Sequence, residues 1–150
     1  MQFAPLWINF IFAMKIAIIT ITRNGARLGA RLKSGFVEAD LYALPKYLGT
    51  AGKGAVAIEG DLNALFERLW NHVDGFICIM ATGIVIRSVA PLLQSKTSDP
   101  GVVVMDDAGK FAISLLSGHL GGANELAERC AFMVGARAVI TRPRARSRMD

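Results

Sequence analysis

The amino-acid sequence predicts an α/β domain in which helices cover both faces of a mainly parallel sheet. Segments rich in β-branched residues alternate with helix-like segments from Lys15 onward, which is the pattern of strand–helix–strand units. The segment GFICIMA at 75–81 is continuously apolar, as is typical of a central parallel strand. The composition agrees with a sheet buried on both faces, since 53% of the residues are hydrophobic and 19% are charged. The length of 150 residues suffices for one domain with a sizeable core.

The individual elements follow from periodicity and from the residues that end helices and strands. The segment 61–73 has apolar residues at helical spacing and begins at Asp61, a typical helix N-cap. Asp107, Ala108 and Gly109 predict a tight turn between two strands, and this hairpin makes the sheet mixed. In order, the sequence predicts a strand at 15–22, a helix at 23–35, a strand at 36–44, a loop at 46–60, a helix at 61–73, a strand at 75–81, a helix at 82–93, two strands within 101–116, a helix at 124–134 and a strand at 138–141. Together they predict a three-layer, flavodoxin-like sandwich.

The charge of the chain does not indicate a nucleic-acid-binding protein. The formal net charge is +5, but residues 137–150 contain five arginines and one aspartate, so the rest of the chain is close to neutral. No basic stripe interleaved with aromatic residues runs through that rest. We therefore expect no nucleic-acid partner and interpret residues 142–150 as a basic, disordered tail.

The first residues and the two cysteines indicate in which cellular compartment the protein is expected. Residues 1–14 are apolar and aromatic, but they lack the positive charge and cleavage site of a signal peptide and are short for a membrane span. We interpret 1–14 as an apolar extension and 15–141 as the domain, and we expect no membrane association. Cys78 and Cys130 have no metal-ligand spacing and are expected to be buried, reduced thiols of a cytoplasmic protein.

Two glycine-containing loops are candidates for binding a ligand. In open α/β sheets, ligands bind beyond the carboxyl ends of the strands, and we expect both loops there. The first is Ala81-Thr82-Gly83, where Thr82 is expected to cap the following helix and free backbone amides could receive a carboxylate or phosphate. The other interpretation of this loop is an ordinary strand-to-helix turn.

The second loop is SGHLGGAN at 117–124. Its glycines allow close approach of the backbone to a ligand, and His119 could act as a general acid or base near neutral pH. Equally, the His119 ring could hydrogen-bond a carbonyl and hold the loop. The loop matches neither the dinucleotide-binding nor the Walker A pattern, and no G-x-S-x-G elbow is present. Asp106 and Asp107 are expected to shape their turn, and no metal site is predicted.

Three motifs together resemble one family. They are the MATGI-x-x-R loop at 80–87, the segment KTSDPGVVVMDDAG at 96–109 and the SLLSGH-x-GGAN segment at 114–124. In combination they resemble the N-terminal domain of the CbiG family, the cobalt-precorrin-5A hydrolases of anaerobic cobalamin biosynthesis. The order of elements from Lys15 to Thr141 is compatible, although the stretch before Leu65 matches only loosely.

The resemblance implies a reaction and a substrate. The family opens the δ-lactone of a cobalt-corrinoid intermediate, releases acetaldehyde and yields cobalt-precorrin-5B; the cobalt is carried by the substrate, so no cofactor of the protein's own is expected. The resemblance implies that Thr82, Gly83 and Arg87 bind peripheral carboxylates and that His119 activates water or transfers a proton. The residues implied to position the substrate and polarise its carbonyl are Ser117, Gly118, Gly121, Gly122 and Asn124.

The chain departs from the family pattern after Thr141. Family members continue into a linker or middle region and a C-terminal domain, whereas here the arginine-rich sequence RPRARSRMD follows. We interpret this ending as a truncated or frameshifted product or as a stand-alone N-terminal protein, and we expect activity to depend on a C-terminal domain. The alternatives are a non-catalytic corrinoid-binding or interaction module and a flavodoxin-like redox protein; the loop at 22–25, which lacks a serine- and threonine-rich phosphate cradle, disfavours the latter. A homo-oligomer is compatible with the sequence.

Overall fold

A seven-stranded sheet lies between two layers of helices in the computed structural model, which describes residue 11 and residues 13–143. The strands are β1 (Lys15–Thr20), β2 (Glu38–Ala43), β3 (Val56–Ala57), β4 (Gly75–Ile79), β5 (Gly101–Met105), β6 (Phe111–Leu116) and β7 (Arg137–Val139). The helices are α1 (Arg23–Lys33), α2 (Leu48–Ala51), α3 (Leu62–Leu69), α4 (Thr82–Val89) and α5 (Ala123–Val134), with 3₁₀ turns at Pro45–Tyr47 and Ala90–Leu92.

The strand order is β3-β2-β1-β4-β5-β6-β7. Strands β1 to β5 are mutually parallel, β6 runs antiparallel to β5, and β7 runs parallel to β6. When the two-residue strand β3 is left out, the strands β2-β1-β4-β5-β6 lie side by side. Numbered along the chain, they have the 2-1-3-4-5 order of flavodoxin-like sheets, except that the fifth strand, β6, is reversed. The predicted α/β sandwich with a mainly parallel sheet and one hairpin is confirmed.

Alternate residues of each strand point to opposite faces of the sheet and form two separate cores. In β1, Ile16 and Ile18 belong to the core under α1 and α5, whereas Ala17 and Ile19 belong to the core under α3 and α4. Both faces are therefore covered, which explains why the central strands are continuously apolar.

The segment 46–60, predicted as a loop, contains more structure than the sequence suggested. It forms the 3₁₀ turn, the short helix α2 and the strand β3, where Val56 pairs with Tyr42 of β2. Burial of Ala51 and Ile58 stabilises these short elements despite the surrounding glycines. The predicted extension at 1–14 and the predicted tail at 142–150 lie mostly outside the described residues.

Both cysteines are buried and free, as predicted. Burial raises the pKa of the Cys130 thiol to about 12, and it also raises the pKa of the Cys78 thiol, so both stay protonated at neutral pH. Among the described helices, none has the length and apolar composition needed to cross a membrane.

The β5–β6 hairpin places the two predicted ligand loops at opposite edges of the sheet. Because β6 is antiparallel to β5, its last residue, Leu116, pairs with Val102 near the start of β5. The loop at 117–122 therefore lies where β1, β4 and β5 begin, which we call the amino edge, whereas the Ala81 loop lies where they end, the carboxyl edge. Strand β4 has five residues, so the two edges are about 16 Å apart. The prediction that both loops lie beyond the carboxyl ends of the parallel strands is wrong for 117–124.

The glycines of the amino-edge loop allow close packing of backbone segments. The amides of Ala123 and Asn124 donate hydrogen bonds to the carbonyls of Ser117 (3.2 Å) and Gly118 (3.0 Å), which closes the loop. A Cβ atom on Gly101, at the start of β5, would lie 2.7 Å from the carbonyl oxygen of Gly121. The loop therefore rests directly on the backbone of β5.

This contact predicts that Gly101→Ala destabilises the domain. The added methyl group meets backbone atoms that cannot move independently, so we expect a loss of about 1–3 kcal/mol in the free energy of unfolding, measured by denaturant titration. Gly49→Ala in α2 is the matched control, since a Cβ there meets no atom within 4 Å. We expect it to be neutral or to stabilise by up to about 1 kcal/mol. Equal stability of the two variants would contradict the close packing of the loop on β5.

Candidate functional site

A cavity of about 450 Å³ lies at the carboxyl edge, where the strand order reverses between β1 and β4. This reversal is the topological switch point, at which open α/β sheets bind their ligands, because the loops after the two strands diverge to opposite faces. The cavity is lined by Ile21, Thr22, Ile79, Met80, Ala81, Thr82, Ile84, Val104, Asp106, Asp107, Phe111 and Ile113. We call it the switch-point cavity.

Most of the surface of the switch-point cavity is apolar. The side chains of Phe111 and Ile84 are 45% and 37% exposed, although both are large and hydrophobic. Exposed apolar side chains that line a concave site are typical of ligand-binding surfaces. The cavity can therefore pack against one apolar face of a ligand.

Thr22 and Asp107 join the two sides of the cavity. The Thr22 hydroxyl accepts a hydrogen bond from the Gly25 amide (2.9 Å), as the N-cap of α1, and donates one to Oδ2 of Asp107 (3.0 Å). This contact fixes the hairpin against the start of α1. A threonine before a helix predicts a cap, but no local signal predicts a bond across 85 positions, so this pair is not apparent from the sequence.

Asp106 closes the hairpin turn, as predicted. Its carboxylate accepts hydrogen bonds from the backbone amides of Lys110 (3.0 Å to Oδ1) and Phe111 (2.7 Å to Oδ1). Gly109 adopts a φ of +70°, which L-residues with side chains rarely adopt. These bonds hold Phe111 at the rim of the cavity.

The helix α4 begins at the cavity without a side-chain cap. Thr82 is its first residue and not its N-cap; Ala81 occupies the N-cap position in an extended conformation. The prediction that Thr82 caps the helix is therefore wrong, because the helix begins at Thr82, as predicted, and the N-cap position falls on Ala81. The start of α4 thus presents backbone amides at the cavity, where the helix dipole favours an anion.

Arg87 lies beside this first turn of α4. Its Nη1 atom is 3.2 Å from the position that a Cβ on Gly83 would occupy, so the guanidinium extends back over Gly83. Arg87 is solvent-exposed and has no salt bridge within the described residues. The structure therefore brings Thr82, Gly83 and Arg87 together at the carboxyl edge.

The other predicted site residues lie together at the amino edge. Asn124 accepts a hydrogen bond from the Ser114 hydroxyl (2.7 Å), and Ser117 has a left-handed φ of +57°. His119 is exposed and forms no hydrogen bond with the part of the chain that the structure describes. The structure therefore does not show His119 holding the loop through its ring.

Two smaller cavities flank this loop. One, of about 270 Å³, is lined in part by Leu120 and Gly121, and the other, of about 230 Å³, by Ser117. Both also border Asp99, a buried residue whose Oδ2 accepts the backbone amides of Gln94 (2.9 Å) and Ser95 (3.1 Å). Within residues 13–143, no group of three or more histidine, cysteine or acidic residues is placed to hold a metal ion.

Comparison with known proteins gives three curated relatives that each resemble most of this chain. The cobalt-precorrin-5A hydrolase of Priestia megaterium is 38% identical over 127 residues, which are 83% of this chain and 34% of that protein. The cobalt-precorrin-5A hydrolase of Salmonella typhimurium is 38% identical over 137 residues, which are 89% of this chain and 37% of that protein. The chain thus spans about a third of the length of the curated relatives that it matches.

A solved structure and a family model agree with these relatives. The crystal structure of a cobalamin biosynthesis protein G homolog from Sulfolobus solfataricus superposes with a TM-score of 0.66 at 26% identity, covering 88% of this chain and 39% of that one. Residues 64–143, more than half of the chain, match the family model for the N-terminal region of the cobalamin synthesis protein G. The chain therefore belongs to the cobalamin synthesis G N-terminal family, CbiG_N.

Proposed function

We propose that this chain is the substrate-binding domain for hydrolytic opening of the δ-lactone of cobalt-precorrin-5A, the reaction that releases acetaldehyde and yields cobalt-precorrin-5B. The names of the relatives supply the substrate and the class of reaction, hydrolysis, and the family resemblance implies the lactone and the acetaldehyde. The observation that carries the proposal is the switch-point cavity, which combines an apolar surface with an uncapped helix start; the Arg87 guanidinium lies beside the first turn of the same helix.

A corrinoid matches this combination chemically. Its macrocycle offers a broad apolar face, which Phe111 and Ile84 can contact. Its peripheral carboxylates are anions that can accept hydrogen bonds from the amides at the start of α4 and from the Arg87 guanidinium. Both kinds of contact occur at one edge of the sheet, so a single bound molecule can make them together.

Lactone opening adds water to the carbonyl carbon and breaks the ring C–O bond, which leaves a carboxylate and an alcohol. Release of the two-carbon fragment as acetaldehyde then breaks its carbon–carbon bond to the macrocycle, as the alcohol loses its proton and the macrocycle carbon takes one up. A base takes a proton from the water, and an acid returns one to the departing oxygen. The assignment of these steps to His119, with Ser117 positioning the substrate and polarising its carbonyl, stays a prediction, and it requires the lactone to lie at the amino edge, about 16 Å from a group held over the switch-point cavity. The proposed cavity therefore competes with the amino-edge loop as the place where the corrinoid binds.

The first experiment incubates the purified chain with cobalt-precorrin-5A and measures both corrinoid binding and acetaldehyde. We expect binding by this chain alone, and acetaldehyde release once it is combined with the remaining two thirds of a relative, because we propose that turnover depends on a C-terminal domain. Binding without turnover in both arms would favour a non-catalytic corrinoid-binding module. No detectable binding would overturn the proposed function.

Paired variants decide which edge holds the corrinoid. We expect Arg87→Ala to weaken corrinoid binding about three- to tenfold, because it removes a charge-assisted bond at a partly solvated site. Arg31→Ala, on the last turn of α1, is the control for a lost positive charge, and His119→Ala should change affinity by less than about twofold. The reverse pattern, with a loss for His119→Ala alone, would place the corrinoid at the amino edge.

Gly83→Ala separates the position of Arg87 from the stability of the domain. The new methyl group would move the guanidinium, the flexible end of a side chain, by a few tenths of an ångström, so the fold accommodates it. Alanine favours a helix over glycine by up to about 1 kcal/mol, so we expect an equal or higher midpoint of unfolding. Corrinoid affinity, measured by absorbance titration, should fall by less than in Arg87→Ala, because the positive charge is moved slightly and not removed; a loss as large as that of Arg87→Ala would contradict this.

A further inference from the structure

Two cations share one tyrosine ring at the carboxyl edge, on the β2 side of the switch-point cavity. The guanidinium carbon of Arg23 lies 5.7 Å from the centroid of the Tyr47 ring, and Nζ of Lys46 lies 5.1 Å from the same centroid. Both distances are in the range of cation–π interactions. Arg23 begins α1 directly after Thr22, which lines the cavity, and Lys46 and Tyr47 belong to the 3₁₀ turn that follows β2.

No carboxylate in the described part of the chain neutralises either cation. The salt bridge found there joins Lys15 and Glu38, at 3.8 Å. Arg23 and Lys46 therefore repel each other while the half-buried Tyr47 ring attracts each of them weakly. A bound anion would offset this repulsion. The positive end of the α1 dipole, beside Arg23, would also attract such an anion.

These two cations and Arg87 follow different strands at the carboxyl edge. Arg23 and Lys46 follow β1 and β2, whereas Arg87 follows β4, and neighbouring strands are about 4.8 Å apart. Positive charge therefore lies on both the β1–β2 side and the β4 side of the carboxyl edge. A ligand with carboxylates at separate points of its periphery would meet both.

We propose that Arg23 and Lys46, positioned by Tyr47, form a second carboxylate subsite for the corrinoid, an inference that rests on the proposed function. The subsite holds a peripheral carboxylate of the macrocycle on the side away from Arg87. A primary amide has nearly the same shape as a carboxylate but no charge. The chain should therefore prefer a corrinoid with free carboxylates to the same corrinoid with those groups amidated.

The test compares the affinities for two probes by absorbance titration. The probes are cobyrinic acid, whose side chains end in carboxylates, and the same corrinoid with those carboxylates converted to primary amides. For cobyrinic acid we expect Arg23→Gln and Lys46→Gln each to weaken binding about three- to fivefold, and the double variant roughly tenfold. For the amidated probe we expect no change, and the losses for cobyrinic acid should shrink as added salt screens the charges.

Two controls separate the subsite from general effects. Arg31→Gln removes the same charge from the last turn of the same helix and should leave both affinities unchanged. Tyr47→Phe keeps the ring and should bind like the unaltered chain, whereas Tyr47→Leu should lose affinity for cobyrinic acid alone. If Tyr47→Leu unfolds, the Arg23 and Lys46 variants still decide the matter.

The outcomes distinguish the subsite from the proposed function. If the unaltered chain binds neither probe, the proposed function itself fails. If it binds cobyrinic acid and the Arg23 and Lys46 variants bind it equally well, the second subsite is overturned while the switch-point cavity stands. Losses of equal size for both probes would also overturn it, because they would show an effect independent of ligand charge.

Discussion

The turn between β5 and β6 determines which residues of this domain can act together. The Asp106 carboxylate accepts the amides of Lys110 and Phe111 and, with Gly109 at positive φ, reverses the chain within a few residues. Because of this reversal, β6 ends at the amino edge and the glycine loop follows there. The same turn places Phe111 and Asp107 beside the loops that follow β1 and β4. One hairpin thus completes the carboxyl-edge cavity and removes the His119 loop from it.

The residues at the carboxyl edge divide into those that hold the site and those that remain available to a ligand. The Thr22 hydroxyl donates a hydrogen bond to the Asp107 carboxylate and so holds the hairpin against the start of α1. The first role of this pair is therefore to fix the shape of the cavity. The uncapped start of α4 and the cations Arg87, Arg23 and Lys46 have no comparable partners within the described residues. Charge left unpaired around an apolar surface is the arrangement that a polycarboxylate macrocycle needs.

Much of this fold could be predicted because its signals are local. The apolar run at 75–79 identifies a parallel strand, Asp61 caps α3, and the Asp107–Gly109 segment predicts a hairpin. The three motifs around the 81–83, 106–109 and 117–124 loops also indicated the family correctly. The edge of the sheet at which each loop lies was harder to predict, because it depends on the direction of every preceding strand. After a hairpin, the next loop lies at the opposite edge. The Thr22–Asp107 bond and the Arg23–Tyr47–Lys46 contacts join distant strands, so no periodicity indicates them.

The central claim is that the corrinoid binds at the switch-point cavity, and amide NMR of the isotopically labelled chain tests it most directly. Titration with cobyrinic acid in its diamagnetic cobalt(III) form would report on both edges of the sheet in one experiment. The account predicts shifts at the amides of Thr22, Thr82 and Gly83, with those of Gly118, His119 and Gly121 unchanged. Shifts confined to the loop at 117–122 would contradict it and place the substrate at the amino edge.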